Sequence, residues 1–158
     1  MILLWLPEYL ALTDAGKALV AAREAFISRD AGARFLGYLV AQKMKMKGEK
    51  AHTVNRPELV AKYGYDTKFA MHALRLGFEG VELLSKRTLT LPVAEPNLST
   101  LRAVRTGQVK FAECLQMIDE TETKLRGLLE ACTWESDRPQ IDALMVKLHR
   151  EHWDQVPS

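Results

Sequence analysis

Cysteine is scarce in this chain. Only Cys114 and Cys132 occur among 158 residues, 18 positions apart on helical patterns. That count excludes a disulfide-stapled scaffold, and no CxxC or zinc-finger spacing is present. The expected state is two buried thiols in a reducing compartment. Charge of one sign is lacking too: 22 Lys and Arg against 20 Asp and Glu leave a net +2. So small an excess does not announce nucleic-acid binding, which would have to rest on local clusters. Long apolar runs are also missing. Ile2-Leu3-Leu4-Trp5-Leu6 is short, is stopped by Pro7 and has no basic stretch ahead of it. It is neither a membrane span nor a secretion signal, which predicts a cytoplasmic protein with no membrane partner. There are no internal repeats and no low-complexity tract.

What is present is ordinary globular composition, 47% hydrophobic and 27% charged, enough for one domain with a real core. The periodicity is almost wholly helical. Helices are expected from Asp14, as cap, to about Phe26; from about Asp30 to Lys47, with Gly48 as a stop; from Pro57 to Gly64; and from Asp66 to about Lys86. Another runs from the cap Asn97 to Gly107. Heptad-spaced Phe111, Leu115, Ile118, Leu125 and Leu129 mark a long one to Cys132. After Pro139 a last helix turns Ile141, Leu144, Leu148 and Trp153 inward. Gly48 to Asn55 reads as a polar, mobile loop. Thr88-Leu89-Thr90-Leu91-Pro92 alternates like a strand, but Pro92 and Pro96 make 88–96 an extended crossing segment. The expected fold is all-α: a single domain over 1–158, with an apolar segment at 1–13 and a helical core at 14–153. Six to seven helices pack around a buried central one at about 66–86.

That central helix carries the most informative pattern. Lys68, His72, Arg75, Glu79 and Glu82 fall within an arc of about 80°. Nearly everything else from Phe69 to Leu84 is apolar or glycine, so the helix is buried on most sides. Its polar stripe must line a cleft or be paired internally. The stripe runs from cationic at the helix start to acidic at its end, against the helix dipole. Two readings stay open. In one, a phosphate docks on free backbone N–H groups and the basic side chains; Tyr65 and Lys62 stand close by in sequence and complete the candidate nucleotide site. In the other, Arg75 reaches Glu79, a backbone carbonyl satisfies His72, and the stripe is a salt-bridge ladder.

Gly64-Tyr65-Asp66-Thr67-Lys68 through Arg75, Glu82-Leu83-Leu84, Leu91-Pro92 and Arg102-Ala103-Val104-Arg105-Thr106-Gly107 together resemble bacterial and phage nucleotidyltransferases of the DNA polymerase beta superfamily, in their helical C-terminal part. Arg23-Glu24-Ala25-Phe26-Ile27-Ser28 and Arg34-Phe35-Leu36-Gly37-Tyr38 join the likeness, which extends from about Trp5 to Trp153. The family's αβ palm carries a Gly-Ser motif followed by paired acids that hold two metal ions. No Gly-Ser dipeptide occurs in these residues. The acidic pairs Glu120-Thr121-Glu122 and Glu135-Ser136-Asp137 have no strand ahead of them. The resemblance therefore implies the helical half that contacts nucleotide or acceptor, with Lys68, His72 and Arg75 facing the active site. No metal site, cofactor or catalytic residue is expected in the chain itself.

Lys43, Lys45, Lys47 and Lys50, with Arg102, Arg105 and Lys110, are candidate contacts to a nucleic-acid backbone, though lysines at helix ends are usually just solvated. His149 and His152 have a spacing that metals accept, but no third ligand stands near. Three functions remain in play: a nucleotide- or RNA-binding subunit that works with a separate catalytic chain, a module that binds a protein partner or itself, and an enzyme by itself. The missing acids argue against the third. The apolar Met1–Tyr9 segment is the candidate partner surface.

Overall fold

A single helix, Thr67–Lys86 (α4), is the hub against which the helices Arg29–Lys47, Asn97–Arg105 and Phe111–Ala131 pack. The computed structural model describes residues 2–49 and 56–155, so the loop expected at 50–55, with Lys50, lies outside the described residues. Among those described there are seven α-helices, two short 3-10 turns and no strand. In chain order they are a 3-10 turn Ile2–Trp5, α1 Asp14–Ala21, a 3-10 turn Arg23–Phe26, α2 Arg29–Lys47, α3 Pro57–Tyr63, α4, α5 Asn97–Arg105, α6 Phe111–Ala131 and α7 Arg138–Gln155.

The wide apolar surface of α4 is satisfied by α2, α6 and α5. Ala70, Ala73, Leu74 and Leu83 have no exposure at all. Burying each leucine contributes about 1.5–3 kcal/mol. Two glycines let the helices close up. A Cβ at Gly77 would stand 2.4 Å from Thr121 Cγ2 on α6, and one at Gly80 would stand 2.9 Å from Leu125 Cδ2 on α6 and Phe35 Cβ on α2. Any larger residue there would push α4 off both neighbours.

Local signals set the boundaries. Gly48 and Gly64 are left-handed with φ of 74° and 82°, and end α2 and α3. Capping differs from the expectation at two helices. The Thr13 side chain, not Asp14, caps α1 by accepting the Gly16 N–H, and a break at Ala22 splits the expected Asp14–Phe26 helix in two. Asn97 is already inside α5, where the Glu95 carboxylate accepts the Ser99 N–H instead. Between α4 and α5 the chain is neither helix nor strand: it bends at Leu91–Pro92 and turns at Glu95–Pro96, so the expected extended crossing is an irregular one. Leu89 is buried there, and Leu91 and Val93 pack on the core.

The periphery is looser. α7 leans chiefly on the Arg23–Phe26 turn and on α1. Ile141, Leu144 and Leu148 are half-buried, while Trp153, expected inward, is 68% exposed. Its ring lies 5.8 Å from that of His149, on its own helix. Phe111, the first heptad position of α6, is likewise 37% exposed. Trp5 is buried under the Arg23 guanidinium at 4.6 Å, whereas Leu3 and Leu10 of the same segment stand in solvent. No described helix is long and apolar enough to cross a membrane.

Candidate functional site: the polar stripe of the central helix

The stripe of α4 begins at a buried cap. Asp66 has no exposure, and its Oδ1 accepts the N–H groups of Lys68 and Phe69. Its Oδ2 accepts the Arg56 N–H and the Arg56 guanidinium at 3.1 Å each. The backbone donors expected to receive a phosphate are therefore taken by the protein's own carboxylate. This corrects the expected helix-end geometry: the N–H groups of Lys68 and Phe69 are not free.

Those side chains converge from three elements. Lys68 is exposed at the first turn; His72 is half-buried one turn on; Arg75 follows, with 42% of its side chain exposed. From α2, Lys45 places its Nζ 5.6 Å from the Phe69 ring centre, and Arg56 reaches the same ring at 5.0 Å. The His72 imidazole is held below its ordinary range, first by burial and then by the charges of Arg75, Lys45 and Lys68. No hydrogen bond to His72 exists among the described residues, so the backbone carbonyl expected by the ladder reading is not found there.

Further along, the stripe turns inward and acidic. Glu79 is 5% exposed and lies 3.6 Å from Arg75 Nε, too long for a hydrogen bond but close enough for ion pairing. Glu79 Oε2 has no hydrogen-bond partner. Burial pushes the Glu79 carboxyl above its ordinary range, with Arg75 opposing and Glu82 adding. Glu82 is better served: the Thr90 N–H and hydroxyl donate to it at 2.8 and 2.7 Å, and Lys86 lies at 3.9 Å. Together with Glu95 and Glu120, these acids line a cleft of about 580 Å³ between α4, α6 and the crossing segment. The acidic half carries the ladder contacts that one reading expected, and among the described residues the cationic half has Glu79 as its one carboxylate partner.

The other candidate residues separate. Tyr65 is buried and donates its hydroxyl to the Val109 carbonyl at 2.7 Å, with its ring 5.7 Å from Phe111. Its phenol is pushed up by burial, and beneath it burial raises Cys114 to about 11. Lys62 stays on α3, over the Tyr63 ring. Lys43 is held by Asp119 at 2.6 Å and Glu122 at 2.9 Å, and Lys47 pairs with Glu49. Of the described lysines Lys43, Lys45 and Lys47, then, Lys45 is the one the structure brings to the stripe. Arg105 touches Thr67 Oγ1 at 3.4 Å, beside the first turn of α4, and Arg102 is exposed near Glu95. Arg56 is the residue that sequence reasoning missed. It sits next to Pro57, and only its pairing with the cap Asp66 brings it to the site.

Among the described residues no three His, Cys, Asp or Glu side chains come together in a way that could hold a metal ion, His149 and His152 included. No curated protein and no solved structure matches the chain. A family model does: RlaP, the RNA repair pathway DNA polymerase beta family, over residues 6–128. The match takes in α1 to α5 and most of α6, so it contains the whole stripe together with Lys45 and Arg56, and it stops short of α7. The nucleotidyltransferase resemblance carried by Gly64–Arg75 and Arg102–Gly107 thus has independent support, and the chain belongs to the RNA repair pathway DNA polymerase beta family.

Proposed function

We propose that this helical domain holds a phosphate group of a nucleotide or of RNA against the cationic half of the α4 stripe. The carrying observation is that Lys45, Lys68, His72 and Arg75 converge, within the matched segment, with the buried Glu79 as the one carboxylate partner to any of them among the described residues. Cations brought this close repel one another unless an anion is present, and a bound phosphate turns that cost into charge-assisted hydrogen bonds. The acids for metal-assisted nucleotidyl transfer would come from a catalytic palm outside these 158 residues, so the chain acts as the binding half of a transferase. Lys62, Arg102 and Arg105 would extend the basic surface toward a longer acceptor.

Two measurements test this reading. Titration with nucleoside triphosphates and a short RNA should show binding that weakens steeply with salt, because several cations share the contact. Absence of binding at low salt refutes it. The chain alone, given labelled nucleoside triphosphates, Mg²⁺ and an RNA pool, should leave the label unincorporated; incorporation that survives repurification overturns the division of labour.

A second reading, capture of a protein partner or of another copy, draws on a different region. Leu3, Leu6, Leu10 and Leu12 near the N-terminus and Met145, Val146 and Trp153 on α7 are all exposed. Sedimentation showing a strict monomer, with no partner recovered on a pull-down, counts against it.

A further inference from the structure

The cationic half of the stripe contains one group that need not be a cation. His72 sits one turn after Lys68 and one turn before Arg75 on α4, and Lys45 of α2 reaches the adjoining Phe69 ring at 5.6 Å. Around it, Arg56 is committed to Asp66 and to the Phe69 face. Glu79 is met through Arg75, and the acids of α6 that face α2, Asp119 and Glu122, are held by Lys43. The charges that act on His72 are thus all positive, and in the empty site a proton on its ring adds to that repulsion. A bound dianion reverses the balance at the same spot. By linkage, whatever favours the protonated ring in the complex also tightens the complex as protons become available.

We propose that the anion site is proton-coupled: a tetrahedral dianion captured among Lys45, Lys68 and Arg75 draws one proton from solvent onto the His72 imidazole, which becomes an additional cationic donor. The inference rests on the anion-site reading above and adds its regulation. Neutral imidazole plus H⁺ gives imidazolium, with no other bond made or broken. The site accordingly favours dianionic over monoanionic phosphate groups, and it holds them harder in acid than at neutral pH.

Inorganic sulfate is the probe, because it is tetrahedral and stays a dianion throughout, whereas phosphate itself titrates. At constant ionic strength, sulfate affinity of the full chain should rise by up to about tenfold per pH unit from about pH 7.5 to about pH 5.5, where an imidazole changes charge. Calorimetry in buffers of different ionisation enthalpy should show net proton uptake. His72→Gln should abolish the pH dependence, leaving one sulfate affinity across that range. Glu79→Gln should retain that dependence, which rules out the buried carboxyl as the titrating group. Should the His72 variant misfold, an NMR titration of the wild-type His72 ring gives the same information: its midpoint moves up when sulfate is added. Sulfate binding without proton uptake and without a moved midpoint overturns the coupling and leaves the anion site standing. No sulfate binding at either pH overturns the site reading, and the coupling with it.

Discussion

From Lys68 to Arg75 the polar face of α4 collects charge of one sign and leaves most of it unanswered. From Glu79 to Lys86 the same face collects charge of the other sign and answers nearly all of it within the protein. The two halves lie on one helix, which as a whole packs chiefly on α2 and α6. Their difference is exposure. Lys68 reaches solvent, whereas Glu79 is 5% exposed and must find compensation inside. The anion site proposed above lies at the open end, where the stripe's charge is least answered within the protein.

The largest expected effect comes from breaking the frame that fixes the open half. Asp66 caps α4 and anchors Arg56 from a position with no exposure of its own, while 33% of the Arg56 side chain reaches solvent. Asp66→Ala should cost about 3 kcal/mol, the sum of a lost cap and a lost charged hydrogen bond, read as a fall in denaturation midpoint. A loss under about 1 kcal/mol would show that the backbone holds this corner without the carboxylate.

Next comes the open half itself. Lys68→Ala should change stability by less than about 0.5 kcal/mol, because the side chain is exposed. It should weaken anion binding about tenfold, the value of one charge-assisted contact. Arg75→Ala should weaken binding similarly and also destabilise, since Glu79 loses its cation. That loss stays below the 3–5 kcal/mol of a fully buried pair, because Arg75 is partly solvated and Glu79 can take up a proton. A large stability loss with no binding change in either variant would make the open half a ladder like the other.

Glu79→Gln sharpens the buried half. The folded carboxyl titrates above its unfolded value, so below the unfolded range both states are protonated and the charge costs nothing. As pH rises through the folded value the native state must ionise a desolvated group, and stability is lost. The glutamine variant lacks that loss. Relative to wild type it should gain stability between about pH 4.5 and neutrality, while the two proteins differ by a fixed amount in acid. Parallel curves across that range would mean that Arg75 fully compensates the buried charge.

How much of this was legible beforehand differs between backbone and site. The all-α fold and the central position of α4 follow from periodicity, because Phe69 to Leu84 leaves only one face for polar groups. Gly48 and Gly64 mark helix ends for a local reason, the left-handed backbone they supply. The cap positions at Thr13 and Glu95 were missed because a neighbouring Asp or Asn satisfies the same pattern. Site membership was harder. Lys43 and Lys45 look alike in sequence, and only the approach of α6 commits Lys43 to Asp119 and Glu122 while Lys45 is left for the stripe. Tyr65 stands beside Lys68 in sequence, yet its ring turns to the α5–α6 corner. Such choices are long-range, and no local spacing encodes them.

The smallest expected effect tests whether the acidic half depends on its exposed ion pair. Lys86 lies 3.9 Å from Glu82 with 69% of its side chain in solvent. At that exposure the attraction is screened, and holding two flexible chains together costs entropy that offsets it. Glu82 meanwhile keeps both Thr90 donors, which are shorter and fixed by backbone. Lys86→Ala should therefore move stability by less than about 0.5 kcal/mol, with no change in anion binding. Thr90→Val, which deletes the hydroxyl donor, should cost about 1 kcal/mol. If the order were reversed, and the Lys86 effect disappeared in high salt, the closed half would be held by surface charge, and the contrast with the open half would reduce to the sign of the charge alone.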